Sequence, residues 1–135
     1  MKILVATVFI ITVMTSPLMA SEQFKKGQCI YEKFPIKVQI TSVKQLDSNG
    51  PPKFEVRFEV LTTQGLPARV ENIVYGRDFH LLLMNKTFPG MLFLKKYDIT
   101  PEKIFDCDFN VLIQGNCRRS FFEFPNIKLD DYIGS

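Results

Sequence analysis

The sequence has no tryptophan, a single histidine (His80) and only three cysteines, and its 17 basic residues nearly balance its 14 acidic ones. One histidine excludes, within one chain, any metal site that needs two or three imidazole ligands. A closed Cys/His zinc site would have to gather three scattered thiols. The modest charge also argues against nucleic-acid binding, which usually comes with a marked basic excess. We therefore expect no metal site and no nucleic-acid partner.

Catalytic motifs are also lacking. No serine lies in a G-x-S-x-G elbow, and no glycine-rich loop could cradle a phosphate. Cys29 with His80, or Asp78 with His80, is a conceivable pair for a small enzyme, but no spacing brings the first pair together. We expect a protein that is not an enzyme and that uses no cofactor.

Three polar residues, Asp106, Asp108 and Asn110, have the i, i+2, i+4 spacing with which a calcium loop begins. The glycine and glutamate that such a loop needs further on are replaced by Val111 and Cys117. Polar residues that alternate with others along the edge of a strand explain this spacing better. We therefore predict no calcium site.

The amino terminus has the pattern of a secretory signal peptide. Lys2 precedes an apolar run over residues 3–14, breakers follow, and Ala20 offers a small residue for cleavage. The run is shorter than the roughly 20 residues of a membrane-spanning helix, although residues 3–20 as a whole could serve as an uncleaved anchor. The sequence predicts a signal peptide over residues 1–20 and one exported domain, periplasmic or secreted, over residues 21–135.

Export would allow the cysteines to form disulfides, because the compartments outside the cytoplasm are oxidising. Cys107 and Cys117 bracket one short hairpin-like run, so we predict a bridge between them. Cys29 is then the odd cysteine, either buried or available for a covalent dimer. Pairing of Cys29 with Cys107 or Cys117 stays open as the alternative. In a eukaryote, Asn85 would begin a glycosylation triplet.

Two-residue periodicity dominates the chain and predicts an all-β fold. Apolar residues alternate with polar ones over residues 36–41 and again over 54–60, and the turn-forming segment 47–52 separates the two runs. Two further runs, 109–113 and 120–124, flank Gly115 in the same way. We predict a small antiparallel barrel of five to seven strands, of the OB type, with a two-sheet sandwich as the alternative.

The remaining segments predict less regular structure. Residues 70–75 resemble a short strand, and the apolar run 79–84 resembles a central one. Thr100 and Pro101 have the residue types of an N-cap and first helical position, which predicts one short helix near residues 99–105. Residues 125–135 are expected to form a loose tail.

Binding residues are predicted from residue type. Arginine and aromatic side chains are enriched at binding hot spots, and both occur together in the segment around Arg118, Arg119 and Phe121. Lys95 and Lys96 form a weaker second candidate. The function that fits is an exported adaptor that recognises another protein, including as an inhibitor that inserts a loop such as 47–53. The alternatives are a carrier of a small ligand or anionic polymer, and the small enzyme described above.

Overall fold

The computed structural model describes residues 28–47 and 49–133, so the predicted signal peptide lies outside the described residues. The elements in chain order are β1 (Ile30–Leu46), β2 (Lys53–Val60), α1 (Ala68–Val74), β3 (Phe79–His80), α2 (Met91–Lys96), β4 (Ile104–Gln114) and β5 (Ser120–Glu123). All five strands of these residues belong to one antiparallel sheet, in the order β3-β2-β1-β4-β5. The predicted all-β, antiparallel fold is confirmed.

The sheet curls into half a barrel around its long central strand. The first part of β1 pairs with β4 and the second part pairs with β2, and the two pairings overlap only at Val38 and Gln39. A register shift between Ile40 and Ser42 marks an irregularity of the kind that bends a strand. Because a single sheet holds the described strands, the two-sheet sandwich is not the architecture.

Alternating side chains of three strands build the core. Ile36, Val38 and Ile40 of β1 face inward with the matching residues of β2 and β4. Both helices add side chains to the same core, among them Val70 and Phe93. Burying a large apolar side chain stabilises the fold by roughly 2 kcal/mol. The repeated alternation therefore determines which face of the sheet is buried. In the described part of the chain, no helix is long and apolar enough to cross a membrane.

The segment predicted as a strand over residues 70–75 forms α1 instead. Val70 and Val74 are both buried, and their spacing of four residues places them on one face of a helix. Pro67 precedes the helix, and Gly76 follows it with φ of +67°, a conformation that suits glycine at a helix end. The strand prediction failed because six residues hold too few apolar positions to distinguish the helical period from the two-residue period of a strand.

The helix predicted near residues 99–105 is also absent from its expected place. Asp98 and Glu102 have φ of 54° and 74°, which are left-handed values that an α-helix does not contain. Residues 100–102 form a turn that leads into β4 at Ile104. The helix of this region is α2, which lies upstream in the apolar run that begins at Met91.

The run over residues 79–84 is an edge of the sheet and not its centre. Only Phe79 and His80 belong to β3, although Leu81 continues the ladder by donating its N–H to the Val56 carbonyl at 2.9 Å. Leu81 and Leu83 are buried. The N–H of Met84 donates to the carbonyl of Leu129 at 2.8 Å, so the chain after β5 covers this run and accounts for its apolar composition.

That same contact corrects the prediction of a loose tail. Ile127 is only 4% exposed, and Leu129 packs against the core. The Asp131 carboxylate accepts hydrogen bonds from Lys96 Nζ at 2.6 Å and Tyr97 Oη at 2.7 Å. Residues 125–133 are therefore docked, because their few apolar side chains meet partners that are distant in sequence.

The predicted Cys107–Cys117 bridge is wrong, and the alternative pairing of Cys29 with Cys117 is present. Cys107 faces the core between Phe105 and Phe109, with 1% exposure, while Cys117 lies in the exposed turn after β4. A thiol that is buried in the core does not meet one in an exposed turn. Cys29 lies beside the turn because Ile30 pairs with Gln114, and its Cα is 6.2 Å from that of Cys117, within the range of natural disulfides.

Candidate functional site

The half-barrel leaves a seam, which we define as the space between the segment 79–84 and β5. A cavity of about 440 Å³ lies in this seam. Phe58, Leu81 and Phe122 line it from the core side. Its charged lining residues are Lys86, Arg118, Glu123 and Asp130. Its volume lies within the range of ligand-binding pockets. We refer to it as the seam cavity.

An aromatic cluster lies beneath the seam cavity and contributes Phe58, Phe122 and Phe124 to its lining. The ring of Phe122 in β5 lies 5.1 Å from that of Phe58 in β2, 4.8 Å from that of Phe79 in β3 and 4.7 Å from that of Phe109 in β4. Phe124 adds a further contact with Phe58 at 5.4 Å. Such ring pairs stabilise by about 1 kcal/mol beyond their buried area. Side chains thus hold the two edges together across the seam.

The start of β1 fixes the position of Arg118. The disulfide from Cys29 holds the preceding residue, Cys117, and the Tyr31 hydroxyl donates to the Arg118 carbonyl at 2.6 Å. The Tyr31 ring in turn packs edge-on against Phe121 at 4.8 Å. The segment is therefore anchored before any partner binds, which reduces the entropy lost on binding.

The predicted binding residues separate into two places. Arg118 and Phe121 line the seam cavity, whereas the adjacent Arg119 is not part of its lining. Lys96 lines a second cavity of about 430 Å³. Lys95 is exposed on α2 and belongs to neither lining. Neither lysine of the weaker candidate therefore lines the seam cavity with Arg118 and Phe121.

The second cavity contains three lysines whose charges are neutralised. Lys96 pairs with Asp131 at 2.6 Å, and the other two pairs are Lys37 with Asp106 at 2.6 Å and Lys103 with Asp98 at 3.0 Å. The hydrogen bond that Lys96 donates to Asp131 raises the pKa of Lys96 and lowers the pKa of Asp131. An anion would have to compete with these carboxylates. The Lys96–Asp131 pair beside this cavity docks the tail.

The charges of the seam are different. No ion pair of Arg118 or Lys86 with another described residue occurs. Glu123 is already engaged, because it accepts from Asn110 Nδ2 at 2.9 Å and lies 3.9 Å from Lys33 Nζ. Two cations are thus available at the seam for a partner.

The residues considered for catalysis are held in other roles. His80 Nε2 lies 3.4 Å from a carboxylate oxygen of Glu55, and Asp78 is exposed without a contact to His80 among the described residues. Cys29 is oxidised in its bridge. Burial raises the pKa of the Cys107 thiol to about 12, so this third cysteine stays protonated near neutral pH.

The spacing that resembles a calcium loop is accounted for by strand contacts. Asp106 binds Lys37, Asp108 lies 4.0 Å from Lys33, and Asn110 binds Glu123. In the part of the chain that the structure describes, no group of three or more His, Cys, Asp or Glu side chains is placed to hold a metal ion.

Sequence reasoning proposed Arg118 and Phe121, which line the seam cavity, but it did not propose the residues of the opposite wall. Leu81, Leu82 and Lys86 were assigned to a central strand and the turn that follows it. A polar turn directly after an unusually apolar strand was the available signal. Comparison with known proteins gives no match to a protein-family model, a curated protein or a solved structure.

Proposed function

We propose that this protein is an exported, non-catalytic binding module that recognises another protein through the seam cavity. The observation that carries the proposal is the meeting of Arg118 and Phe121 with an aromatic-floored cavity of about 440 Å³. Arginine and aromatic side chains in a partly desolvated pocket are the usual composition of a binding hot spot.

Export is supported by two independent features. Residues 1–20 have the charge, apolar run and small terminal residue of a signal peptide. The Cys29–Cys117 disulfide is of a kind that persists mainly in oxidising compartments. Either a periplasmic or a secreted location is compatible with both features.

Binding is favoured over catalysis by the state of the polar groups near the cavity. His80 is engaged by Glu55 and Glu123 by Asn110, which are arrangements that hold side chains in place. The charged groups available to a partner are Arg118, Lys86 and Asp130 beside apolar walls, so cations are in excess. Such a surface binds an apolar segment that carries an acidic group.

The test is a crosslinked pull-down from the native exported fraction with two matched variants. Arg118→Ala and Arg119→Ala remove the same charge from adjacent positions, but only the first changes the cavity lining. We expect Arg118→Ala to weaken capture of the partner by about 10- to 100-fold, with Arg119→Ala close to wild type.

Three results would contradict the proposal. One is equal loss of capture in both variants, which would point to general electrostatic attraction and the anionic-polymer alternative. Another is an apolar small molecule that copurifies in the seam cavity, which would favour the carrier alternative. A third is the absence of any protein captured by the wild type.

A further inference from the structure

The free edge of β5 carries backbone groups that point into the seam. The Leu112 N–H donates to the Arg119 carbonyl at 2.8 Å, so the backbone N–H and C=O groups of Arg119 point toward β4. The backbone groups of Phe121 and Glu123, two and four residues further on, point the same way. In an antiparallel pair the intervening residues point the other way. Ser120 and Phe122 therefore direct their N–H and C=O groups away from β4, where no described backbone group bonds them.

The opposite edge has the same character. The backbone N–H of Leu81 points toward β2, where it bonds to Val56, and the backbone groups of Phe79, which pairs with Phe58, point the same way. By the same alternation, the backbone groups of His80 and Leu82 point toward the seam. Their N–H groups have no backbone acceptor among the described residues. The seam thus has unpaired hydrogen-bonding groups on both walls.

Strand direction determines what can fill the gap. Every neighbouring pair in the order β3-β2-β1-β4-β5 is antiparallel, so β3 and β5 run in the same direction. Direct pairing of the two edges would be parallel. One additional strand of opposite direction would instead be antiparallel on both sides, which is the more stable arrangement.

The charges assign an end to such a strand. Arg118 lies just before β5, and Asp130 lies in the tail beyond its other end. A strand antiparallel to β5 brings its carboxyl-terminal end to Arg118 and its amino-terminal end toward Asp130. At the second end the charges are mixed, because Lys86 and Asp130 both line the cavity and the Met84 N–H donates to the Leu129 carbonyl beside them. The complementary segment is therefore assigned an acidic group at its carboxyl-terminal end alone.

From these observations we infer that the partner contributes an extended peptide segment that adds as a strand in the seam, antiparallel to both edges, and closes the half-barrel. This inference rests on the proposed function and names the conformation and chemistry of its partner. Apolar side chains at alternate positions of the segment face Phe58 and Phe122, and an acidic residue near its carboxyl-terminal end binds Arg118. Main-chain bonds supply affinity and the alternate side chains supply specificity, as in other cases of strand addition.

The test uses short peptides selected from a random display library on the purified protein. We expect the selected peptides to alternate apolar and polar residues and to end near an acidic residue. In amide hydrogen exchange followed by NMR, the bound peptide should slow exchange at Ser120, Phe122, His80 and Leu82. Methylating alternate peptide amides should weaken binding by about tenfold or more, because two or more hydrogen bonds are lost.

A protein variant provides a second readout. Ser120→Pro removes one outward N–H without touching the ladder to β4, and proline is tolerated at strand edges. Ser120→Ala is its matched control, because it keeps the N–H. We expect weaker peptide binding by Ser120→Pro alone. If Ser120→Pro does not fold, the methylated peptides still test whether main-chain hydrogen bonds hold the bound segment.

The inference fails if methylated and unmethylated peptides bind equally, if the four amides stay unprotected, or if no peptide is selected. It also fails if those amides are protected in the absence of peptide in a concentration-dependent dimer, since a second copy would then fill the seam. These results are distinct from failure of the proposed function. A partner captured through Arg118 without protection of the four amides would leave the binding module intact and remove only the strand.

Discussion

At the scale of the residue, Gly115 shows how one position allows the amino-terminal strand to approach the β4–β5 turn. Its φ is +111°, which side chains other than glycine rarely adopt. A β-carbon placed there would lie 2.8 Å from the Gln28 carbonyl oxygen and 3.0 Å from the Cys29 Cα. Both neighbours are backbone atoms, which cannot move aside cheaply. The close approach seats the disulfide that holds Arg118.

We predict that Gly115→Ala lowers the free energy of unfolding by about 1–3 kcal/mol, because strain in φ and the steric clash act together. Chemical denaturation of the purified protein measures the loss. Gly65→Ala is the matched control, since Gly65 also has a positive φ, +90°, but no atom within 4 Å of the added carbon. Equal losses in the two variants would show that the close approach contributes nothing.

At the scale of the element, the segment after β5 is docked by a small polar cluster. The hydrogen bonds from Lys96 and Tyr97 lower the pKa of Asp131, and the hydrogen bond to Asp131 raises the pKa of Tyr97. These groups lie on and just after α2, so the cluster joins the helix to the tail. The tail in turn provides Ile127 and Leu129 to one wall of the seam cavity.

We predict that Asp131→Asn loosens the tail and that the effect depends on pH. The folded pKa of Asp131 lies below its ordinary 3.8, so its stabilising contribution is present above that value and is lost as the pH falls through the folded pKa. Limited proteolysis of residues 125–133 near neutral pH should be faster in the variant. The difference from wild type should shrink in acid.

Asp130→Asn is the control for this prediction. Asp130 is adjacent and lines the seam, but it forms no ion pair with Lys96. Its proteolysis should therefore match that of wild type. A pH-independent difference between Asp131→Asn and wild type would mean that the charge of Asp131 does not dock the tail.

Strands were predictable from the sequence where the apolar pattern was long enough to distinguish the two-residue period of a strand from the 3.6-residue period of a helix. The alternation over residues 54–60 became β2, and the two runs around Gly115 became β4 and β5. Shorter segments failed: residues 70–75 became α1, and the helix expected after Thr100 lies upstream as α2. Short apolar runs fit a helix and a strand equally well, and only their packing decides between them.

At the scale of the whole molecule, one covalent bond connects the start of the central strand to the turn between the last two strands. Cys29 and Cys117 are separated by 88 residues, and their bridge joins the start of β1 to the turn before β5. A bridge that closes a long loop restricts the unfolded chain strongly. It also keeps Arg118 at the mouth of the seam, so fold stability and the proposed binding site depend on the same bond.

We predict that replacing Cys29 and Cys117 by serine lowers the free energy of unfolding by about 4 kcal/mol, as loop entropy implies for so long a loop. Denaturation measures the loss, and a non-reducing digest should recover a peptide that joins the two cysteines. Cys107→Ala keeps the bridge and serves as the control for changing a cysteine. A digest that joins Cys107 to either partner would contradict the pairing.

The sequence by itself determined the fold class and the two principal hairpins, because alternation and turn chemistry are local properties, and residue type was enough to propose Arg118 and Phe121 as binding residues. Tertiary structure alone decided three further features: the Cys29–Cys117 pairing, the docking of residues 125–133 and the seam cavity. Each brings together groups that are far apart in the chain. Their meeting depends on how the long strand β1 curls and which side chains it turns inward, and no local pattern of residues encodes that geometry.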